Sequence, residues 1–133
     1  MDGRHQVFDP VRKKFVAYTP EEHVRQQLLH YLIHEKGYPQ SLLSVEKALT
    51  VNDRVKRTDI VAFEQDGKPF LLVECKAPGV AVTDAVFMQA AIYNFALKVP
   101  YLLVSNGSKT WCASINWASK TYVLISDIPA FRK

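Results

Sequence analysis

Apolar residues recur at helical spacing in the first third of the chain. They follow the segment Thr19-Pro20-Glu21-Glu22 and comprise Val24, Leu28, Leu29, Tyr31, Leu32 and Ile33. Thr19 is a favourable N-cap, Pro20 suits the first helical position, and Glu22 completes a capping box with Thr19. Gly37 and Pro39 are typical of residues that follow a helix end. The pattern therefore predicts a first helix from about Pro20 to Lys36.

Two strand-like runs, at 59–63 and 70–76, consist mostly of apolar residues and have the length of strands. The loop that joins them contains Asp66-Gly67, a dipeptide that strongly favours a hairpin turn. The two runs are therefore predicted to pair as antiparallel strands.

A second helix is predicted from Thr83 or Asp84 to about Lys98, because apolar residues again recur at helical spacing between them. Another apolar run follows at residues 101–105. A strand, a helix and a strand in this order form a crossover unit, so the strands at 71–76 and 101–105 should be parallel neighbours in one sheet. Closing strands are predicted at 111–115 and 121–125.

The remaining segments are less regular. Residues 1–18 form a polar lead-in with one short strand near 15–18, residues 42–51 fit a turn followed by a strand, and residues 52–54 are polar punctuation. A chain of 133 residues, of which 48% are hydrophobic, is long enough for one domain with its own core. We predict a single α/β domain spanning residues 1–133, in which a mixed sheet is flanked by two main helices.

Composition narrows the function classes only slightly. The net charge of +4 fits a nucleic-acid partner without requiring one. The two cysteines, Cys75 and Cys112, lie far apart and cannot form a disulfide framework, which indicates a reducing, cytoplasmic environment. The sequence has no run of eighteen apolar residues, and its amino terminus is polar, so neither membrane insertion nor secretion is expected.

Two carboxylates face each other in the predicted hairpin. A hairpin symmetric about Asp66-Gly67 pairs residues whose numbers add up to 133, so Asp59 lies opposite Glu74. Two unit negative charges about 5 Å apart repel by roughly 3 kcal/mol at an effective dielectric near 20. Lys76 lies on the same face, diagonal to Asp59, so this lysine or a divalent cation could offset the repulsion. If the carboxylates were unscreened, Asp59→Asn would melt at a higher temperature than the wild type in chelator.

This combination suits metal-dependent phosphodiester hydrolysis. Mg²⁺ commonly takes one or two carboxylates with substrate phosphate and water, and Mn²⁺ is expected to substitute for it. An ion held by Asp59 and Glu74 would bind a scissile phosphate oxygen and orient the attacking water. Lys76 could position or deprotonate that water, or stabilise the developing charge, and the sequence leaves these roles open. Glu74 and Lys76 end a strand of four apolar residues, where charges are costly unless the strand end opens into a site.

Several short motifs lie between about residues 19 and 115. They are Thr19-Pro20-Glu21-Glu22 with Val24-Arg25-Gln26, Gly37-Tyr38-Pro39, Arg57-Thr58-Asp59-Ile60-Val61, Val73-Glu74-Cys75-Lys76-Ala77-Pro78, Gln89 with Tyr93, and Ser105-Asn106-Gly107. Together they resemble the amino-terminal nuclease domain of type I restriction enzyme R subunits, in the PD-(D/E)xK nuclease superfamily. The resemblance implies a restriction-endonuclease-like core with catalytic Asp59, Glu74 and Lys76. It also implies a helical acid at Glu22 and a Gln-x-x-x-Tyr motif at Gln89 and Tyr93.

The resemblance further implies Mg²⁺-dependent DNA cleavage inside a large ATP-driven complex with methyltransferase and specificity subunits. The chain contains no Gly-x-x-x-x-Gly-Lys-[Ser/Thr] loop, so the motor of such a complex would be separate from these residues. The chain is therefore expected to be either a fragment or a stand-alone relative whose partner and activity stay open. The resemblance itself implies DNA as the partner.

Each assignment has a structural alternative. Glu74 and Lys76 could form an ordinary ion pair, and Glu22 could serve only its capping box, with Glu21 nearly as well placed to be the helical acid. Gln89 and Tyr93 could be a surface residue and a core aromatic on one helix.

The functional alternatives also stay open. Lys56 and Arg57 precede Asp59 and could steer a phosphate toward it, or could simply be solvated. The main alternative to an endonuclease is a non-catalytic nucleic-acid-binding or assembly module that has kept the fold and lost the chemistry.

Overall fold

The computed structural model describes residues 5–51 and 53–132, apart from the side chains of residues 49–51, 54, 56 and 96. Within these ranges the α-helices are α1 (Pro20–His34) and α2 (Asp84–Leu97), and a short 3₁₀ helix spans Gln40–Leu42. The strands are β1 (Gln6–Asp9), β2 (Lys14–Ala17), β3 (Leu43–Val45), β4 (Ala48–Val51), β5 (Arg54–Arg57), β6 (Ile60–Phe63), β7 (Pro69–Cys75), β8 (Tyr101–Ser105), β9 (Thr110–Asn116) and β10 (Thr121–Ile125). Neither helix is long and apolar enough to cross a membrane.

The centre of the fold is a six-stranded mixed sheet with the strand order β10-β9-β8-β7-β6-β3. Strands β7 and β8 are parallel because α2 connects them as a crossover, whereas the other neighbouring pairs are antiparallel. Two separate ribbons, β1-β2 and β4-β5, lie outside this sheet. The predicted mixed sheet with two main helices and a parallel crossover pair is confirmed.

The two faces of the sheet carry separate hydrophobic clusters, because side chains alternate along each strand. Ile60, Val73 and Leu103 pack in one cluster with α1 residues such as Leu29. The other cluster combines alternate residues of the same strands with α2, and includes Val61, Leu72, Val104, Phe87 and Ala91. Cys75 is buried in the α1 cluster. The helices α1 and α2 therefore cover opposite faces.

The β6-β7 hairpin has the predicted register over most of its length. Ile60 pairs with Val73 and Ala62 with Leu71, so the paired residue numbers add up to 133 as expected. The register then shifts by one residue near the turn, where Phe63 pairs with Pro69. The open end of the hairpin lies beyond this shift, where the register is the predicted one.

Both helices begin as their capping residues predict. Thr19 Oγ1 accepts a hydrogen bond from the Glu22 backbone N–H at 3.1 Å, and Thr83 Oγ1 accepts one from the Val86 backbone N–H at 3.3 Å. Helix α1 ends at His34, two residues before the predicted Lys36.

The main departures from the sequence prediction are three short strands. Residues 42–51, predicted as a turn followed by one strand, hold β3, which pairs with β6 at the edge of the central sheet, as well as β4. Gln6–Asp9, predicted as polar lead-in, is β1 and pairs with β2 to form a complete hairpin. The basic segment Arg54–Arg57, which begins in the predicted polar punctuation, is β5 and pairs with β4. Strands of four residues are too short for a periodic pattern, so pairing with a neighbour, and not local sequence, decides their structure.

Candidate active site at the open end of the β6-β7 hairpin

Asp59 and Glu74 are neighbours at the open end of the β6-β7 hairpin. Strand β6 begins at Ile60, which pairs with Val73, so the next position of the same register sets Asp59 opposite Glu74. Both residues line a narrow cavity of about 10 Å³, close to the space that one water molecule occupies. The hairpin thus brings the two predicted carboxylates to one cavity.

The Asp59 carboxylate is held from two sides. Its Oδ1 accepts a hydrogen bond from Arg25 Nη2 at 2.8 Å, and its Oδ2 accepts one from the Cys75 backbone N–H at 2.8 Å. Asp59 is therefore not an unscreened carboxylate. The higher melting temperature that lack of screening would give Asp59→Asn is no longer expected. The positive charge beside Asp59 belongs to Arg25 of α1, which contacts Asp59 at the open end of the hairpin.

Glu74 lies in a different environment from Asp59. Its side chain is 34% exposed, and its Oε2 lies 3.8 Å from Nζ of Lys76, whose side chain is also 34% exposed. Burial raises the pKa of Glu74 above its ordinary value, Lys76 opposes the rise, and the negative charge of Asp59 adds to it. Glu74 and Lys76 are thus the accessible members of the site.

Glu22 is buried on the first turn of α1. Its Oε1 accepts a hydrogen bond from Arg25 Nη1 at 2.5 Å, and its Oε2 accepts bonds from Arg12 Nη2 at 2.8 Å and Gln26 Nε2 at 3.0 Å. The same guanidinium that holds Glu22 holds Asp59. Glu22 is therefore linked to Asp59 through Arg25.

Glu21, the other candidate for the helical acid, is exposed. It lies 3.9 Å from Arg25 Nη2, and its charge contributes to the raised pKa of Glu74, after burial and the larger effects of Lys76 and Asp59. Both acids at the start of α1 therefore contact Arg25, Glu22 from the interior and Glu21 from the solvent side.

The basic residues that hold these acids, Arg12 and Arg25, were not among the predicted site residues. Arg12 Nε donates to the buried Asp9 at 2.7 Å, and Arg25 bridges Glu22 and Asp59. A signal for Arg25 was present, because Arg25 and Gln26 occupy core-facing positions in the apolar stripe of α1. A charged residue at such a position requires a buried partner. No comparable signal marks Arg12.

The remaining predicted site residues surround the cavity or lie near it. Tyr93 lines it from α2, and its hydroxyl donates to the Arg57 backbone carbonyl at 2.9 Å. Burial raises the pKa of Tyr93, and the charges of Glu74 and Asp59 add to the rise. Arg57 is exposed at the cavity rim, and Gln89 is exposed one helical turn before Tyr93. The side chain of Lys56 lies outside the described part of the chain.

The donor atoms at the hairpin end fit Mg²⁺ better than a metal that needs a protein cage. Among the described residues, no group of three or more His, Cys, Asp or Glu side chains is arranged to hold a metal ion. Mg²⁺ needs only one or two carboxylates and completes its coordination with water and substrate phosphate. Asp59 and Glu74 match that requirement, whereas a closed four-ligand zinc site does not match these residues.

Comparisons with known proteins identify the family and the fold of the chain. The family model for the type I restriction enzyme R protein N terminus matches residues 20–129. A comparison with curated proteins found no match.

Among solved structures, the chain is similar to a fragment assigned to the HsdR subunit of a type I restriction enzyme from Vibrio vulnificus YJ016, with 17% sequence identity and a TM-score of 0.57. The match covers 85% of this chain and 24% of that one, so this chain spans about a quarter of the length of that structure. At this level of identity the likeness shows a shared fold.

Proposed function

Because the chain belongs to the family of type I restriction enzyme R protein N termini, we propose that it is a DNA endonuclease domain whose Mg²⁺ ion is held by Asp59 and Glu74. The observation that carries the proposal is the meeting of these two carboxylates at one cavity, with the Lys76 ammonium 3.8 Å from Glu74. Two carboxylates and an accessible ammonium are the groups that phosphodiester hydrolysis with a divalent cation requires.

The residues of the site have separate roles in this proposal. When bound, Mg²⁺ (or Mn²⁺) supplies Lewis-acid polarisation of the phosphate and lowers the pKa of a coordinated water. Lys76, accessible beside Glu74, positions the attacking water or stabilises charge that develops on the phosphate. Arg25 keeps the Asp59 carboxylate in place, and Glu22 keeps Arg25 in place. The Tyr93 hydroxyl fixes the backbone of Arg57, two residues before Asp59.

The family also supports a set of partners. DNA is the proposed substrate, with Arg57 at the cavity rim and Lys56 beside it as phosphate contacts. A separate ATP-driven motor and methyltransferase and specificity subunits are the proposed assembly partners. A cytoplasmic location accompanies this assignment.

Cleavage of supercoiled plasmid DNA with Mg²⁺ or Mn²⁺ tests the proposal. We expect wild-type protein to nick or linearise the plasmid, and Asp59→Asn, Glu74→Gln and Lys76→Ala to lose this activity. Lys76→Ala should still bind the metal, since an ammonium is not a ligand for a cation.

The chain supplies a matched control in Asp66-Gly67-Lys68, a second acid-x-lysine segment whose charged side chains are exposed in the hairpin turn, 3.9 Å apart. Lys68→Ala should cleave like the wild type. Cleavage that survives in Lys76→Ala, or that is lost equally in Lys68→Ala, would contradict the assignment of Lys76.

One observation favours a second candidate, a non-catalytic assembly module. Both oxygens of Asp59 already have protein partners in Arg25 and the Cys75 backbone N–H. Calorimetric titration with Mg²⁺ separates the two functions. The endonuclease proposal expects weak binding at one principal site that is lost in Asp59→Asn, whereas the assembly module expects wild type and variant to titrate alike.

A further inference from the structure

We propose that the β1-β2 hairpin is a binding element for a single DNA strand, fixed beside the candidate active site by Arg12 and using Lys13 and Phe15 as its contacts. The identity of the ligand as DNA rests on the proposed function. The hairpin itself precedes residues 20–129, which the family model matches, so the family assignment says nothing about it.

The hairpin is attached to the site through buried charges. Asp9 is fully buried, and its carboxylate accepts hydrogen bonds from the backbone N–H groups of Val11 and Arg12, from Arg12 Nε and from Gln26 Nε2. Arg12 also donates to Glu22 at 2.8 Å and to Glu46 at 2.9 Å. Because Arg12 is engaged by three carboxylates, the turn of the hairpin has a fixed position next to the acids of α1.

The outward face of the hairpin carries two exposed phenyl rings. Phe8 and Phe15 are directly opposite each other across the strands, and their ring centroids are 5.3 Å apart in an edge-to-face arrangement. Phe8 is 48% exposed and Phe15 is 64% exposed, whereas Val7 and Val16 on the other face are partly buried. A ribbon with an anchored face and an exposed aromatic face is a platform on which a base can stack.

The charge next to this platform favours a polyanion as its ligand. Lys13, in the hairpin turn, is exposed, whereas the charge of Arg12 is compensated by Asp9, Glu22 and Glu46. Exposed aromatic rings alone would fit many protein partners. Rings beside an uncompensated lysine, at an acid cluster proposed to cleave DNA, fit a nucleic-acid strand, since single strands are bound by stacking and by phosphate contacts together.

Fluorescence anisotropy with the whole 133-residue chain and a labelled single-stranded oligonucleotide, in chelator, tests the proposal. Phe15→Leu keeps an apolar side chain but removes the ring, and we expect it to weaken binding by about fivefold or more. Phe15→Tyr keeps the ring and should restore wild-type affinity. Lys13→Gln should lower the slope of log Kd against log salt concentration by about 0.7, the value for one lost phosphate contact on a single strand.

Lys120→Gln is the matched control. Lys120 is exposed and has the same backbone conformation as Lys13 (φ of 55° at both), but it lies in the β9-β10 turn, at the end of the sheet away from Glu74. It should bind like the wild type and with an unchanged salt slope. Circular dichroism verifies that each variant is folded. If Phe15→Leu does not fold, the comparison of Lys13→Gln with Lys120→Gln tests the proposal by itself.

Three results would overturn the proposal: a wild-type chain that does not bind the strand, equal losses in Lys13→Gln and Lys120→Gln, or full affinity in both Phe15→Leu and Lys13→Gln. The outcome is separable from that of the proposed function. Plasmid cleavage that depends on Asp59 while the hairpin variants bind normally would leave the endonuclease intact and reject the hairpin. Hairpin-dependent binding without any Mg²⁺-dependent cleavage would support the hairpin as a binding element and reject the endonuclease.

Discussion

Arg25 joins two acids that belong to different elements, Glu22 of α1 and Asp59 at the start of β6. All three side chains are largely buried. Removal of one partner from a buried ion pair leaves an uncompensated charge, so Arg25→Ala should lower the free energy of unfolding by roughly 3 to 5 kcal/mol. Urea denaturation at neutral pH measures this change.

Arg132→Ala is a suitable comparison for Arg25→Ala. Arg132 also forms a short ion pair, with Glu64 at 2.6 Å, but its side chain is 68% exposed. Such a pair contributes less than about 1 kcal/mol. Similar losses of unfolding free energy in the two variants would mean that the buried ion pairs of Arg25 stabilise the domain no more than an exposed pair does.

The contacts of Asp59 also predict how its replacement affects melting. Asp59→Asn loses the charge that Arg25 binds, so it should melt at a lower temperature than the wild type in chelator. In millimolar Mg²⁺ the deficit should widen, because a ligand that binds only the folded wild type adds stability according to its concentration over Kd. Thermal melts in both conditions measure the two deficits.

Asp66→Asn, in the exposed hairpin turn, should melt like the wild type in either condition and serves as the control. A deficit for Asp59→Asn that is identical with and without Mg²⁺ would support the ion pair and count against the metal site.

The raised pKa of Glu74 should make the stability of the protein depend on pH. Burial raises its pKa above the ordinary value of 4.5, so the folded protein binds this proton more tightly than the unfolded chain does. The wild type therefore gains stability from Glu74 at pH below the ordinary value and loses it as the pH rises through the raised pKa. Glu74→Gln cannot titrate, so its stability relative to the wild type should increase between about pH 4 and pH 7 in chelator. Urea denaturation across this range would contradict the prediction if the two stability curves stayed parallel.

The β1-β2 hairpin shows how a short element depends on one side chain. Gln6–Asp9 and Lys14–Ala17 form an isolated ribbon, and two-stranded ribbons of this length are marginal without further support. Arg12→Ala removes the ion pairs to Glu22, Glu46 and Asp9 while the turn bonds of Asp9 to the backbone remain. Amides of residues 6–17 should then exchange with deuterium at least about tenfold faster and lose most of their protection, while those of β8 remain protected. Loss of protection in β8 as well would indicate global unfolding in place of release of the hairpin.

The segment after β10 is bonded to residues that follow α1, which connects the two ends of the fold. The hydroxyl of the buried Tyr38 donates to the Pro129 backbone carbonyl at 2.7 Å, and the Phe131 backbone N–H donates to the Lys36 carbonyl at 2.9 Å. The segment thus returns from the edge strand β10 to the end of α1. Tyr38→Phe keeps the buried ring and removes the hydrogen bond, so it should lower the free energy of unfolding by about 1 kcal/mol. No measurable loss in urea denaturation would show that the segment adds little to the stability of the domain.

Much of this architecture was predictable from the sequence, because it depends on local signals. The Thr19 N-cap starts α1, the helical spacing of apolar residues defines both helices, and the crossover rule makes β7 and β8 parallel. Asp66-Gly67 predicted the hairpin register to within one residue, and the register shift between Ala62 and Phe63 sets Asp59 opposite Glu74. Each of these features is decided within a few residues or by a rule of chain connection.

What the tertiary structure alone decided is which charges compensate one another. Arg25 and Asp59 are 34 residues apart, and the hairpin of Arg12 is built from two strands of four residues each, so neither pairing leaves a periodic trace in the sequence. A buried carboxylate needs a cation, but several lysines and arginines could supply it until the elements have packed. Lys76 was the nearest candidate along the strand, and the packing of α1 against the sheet brought Arg25 to Asp59 instead.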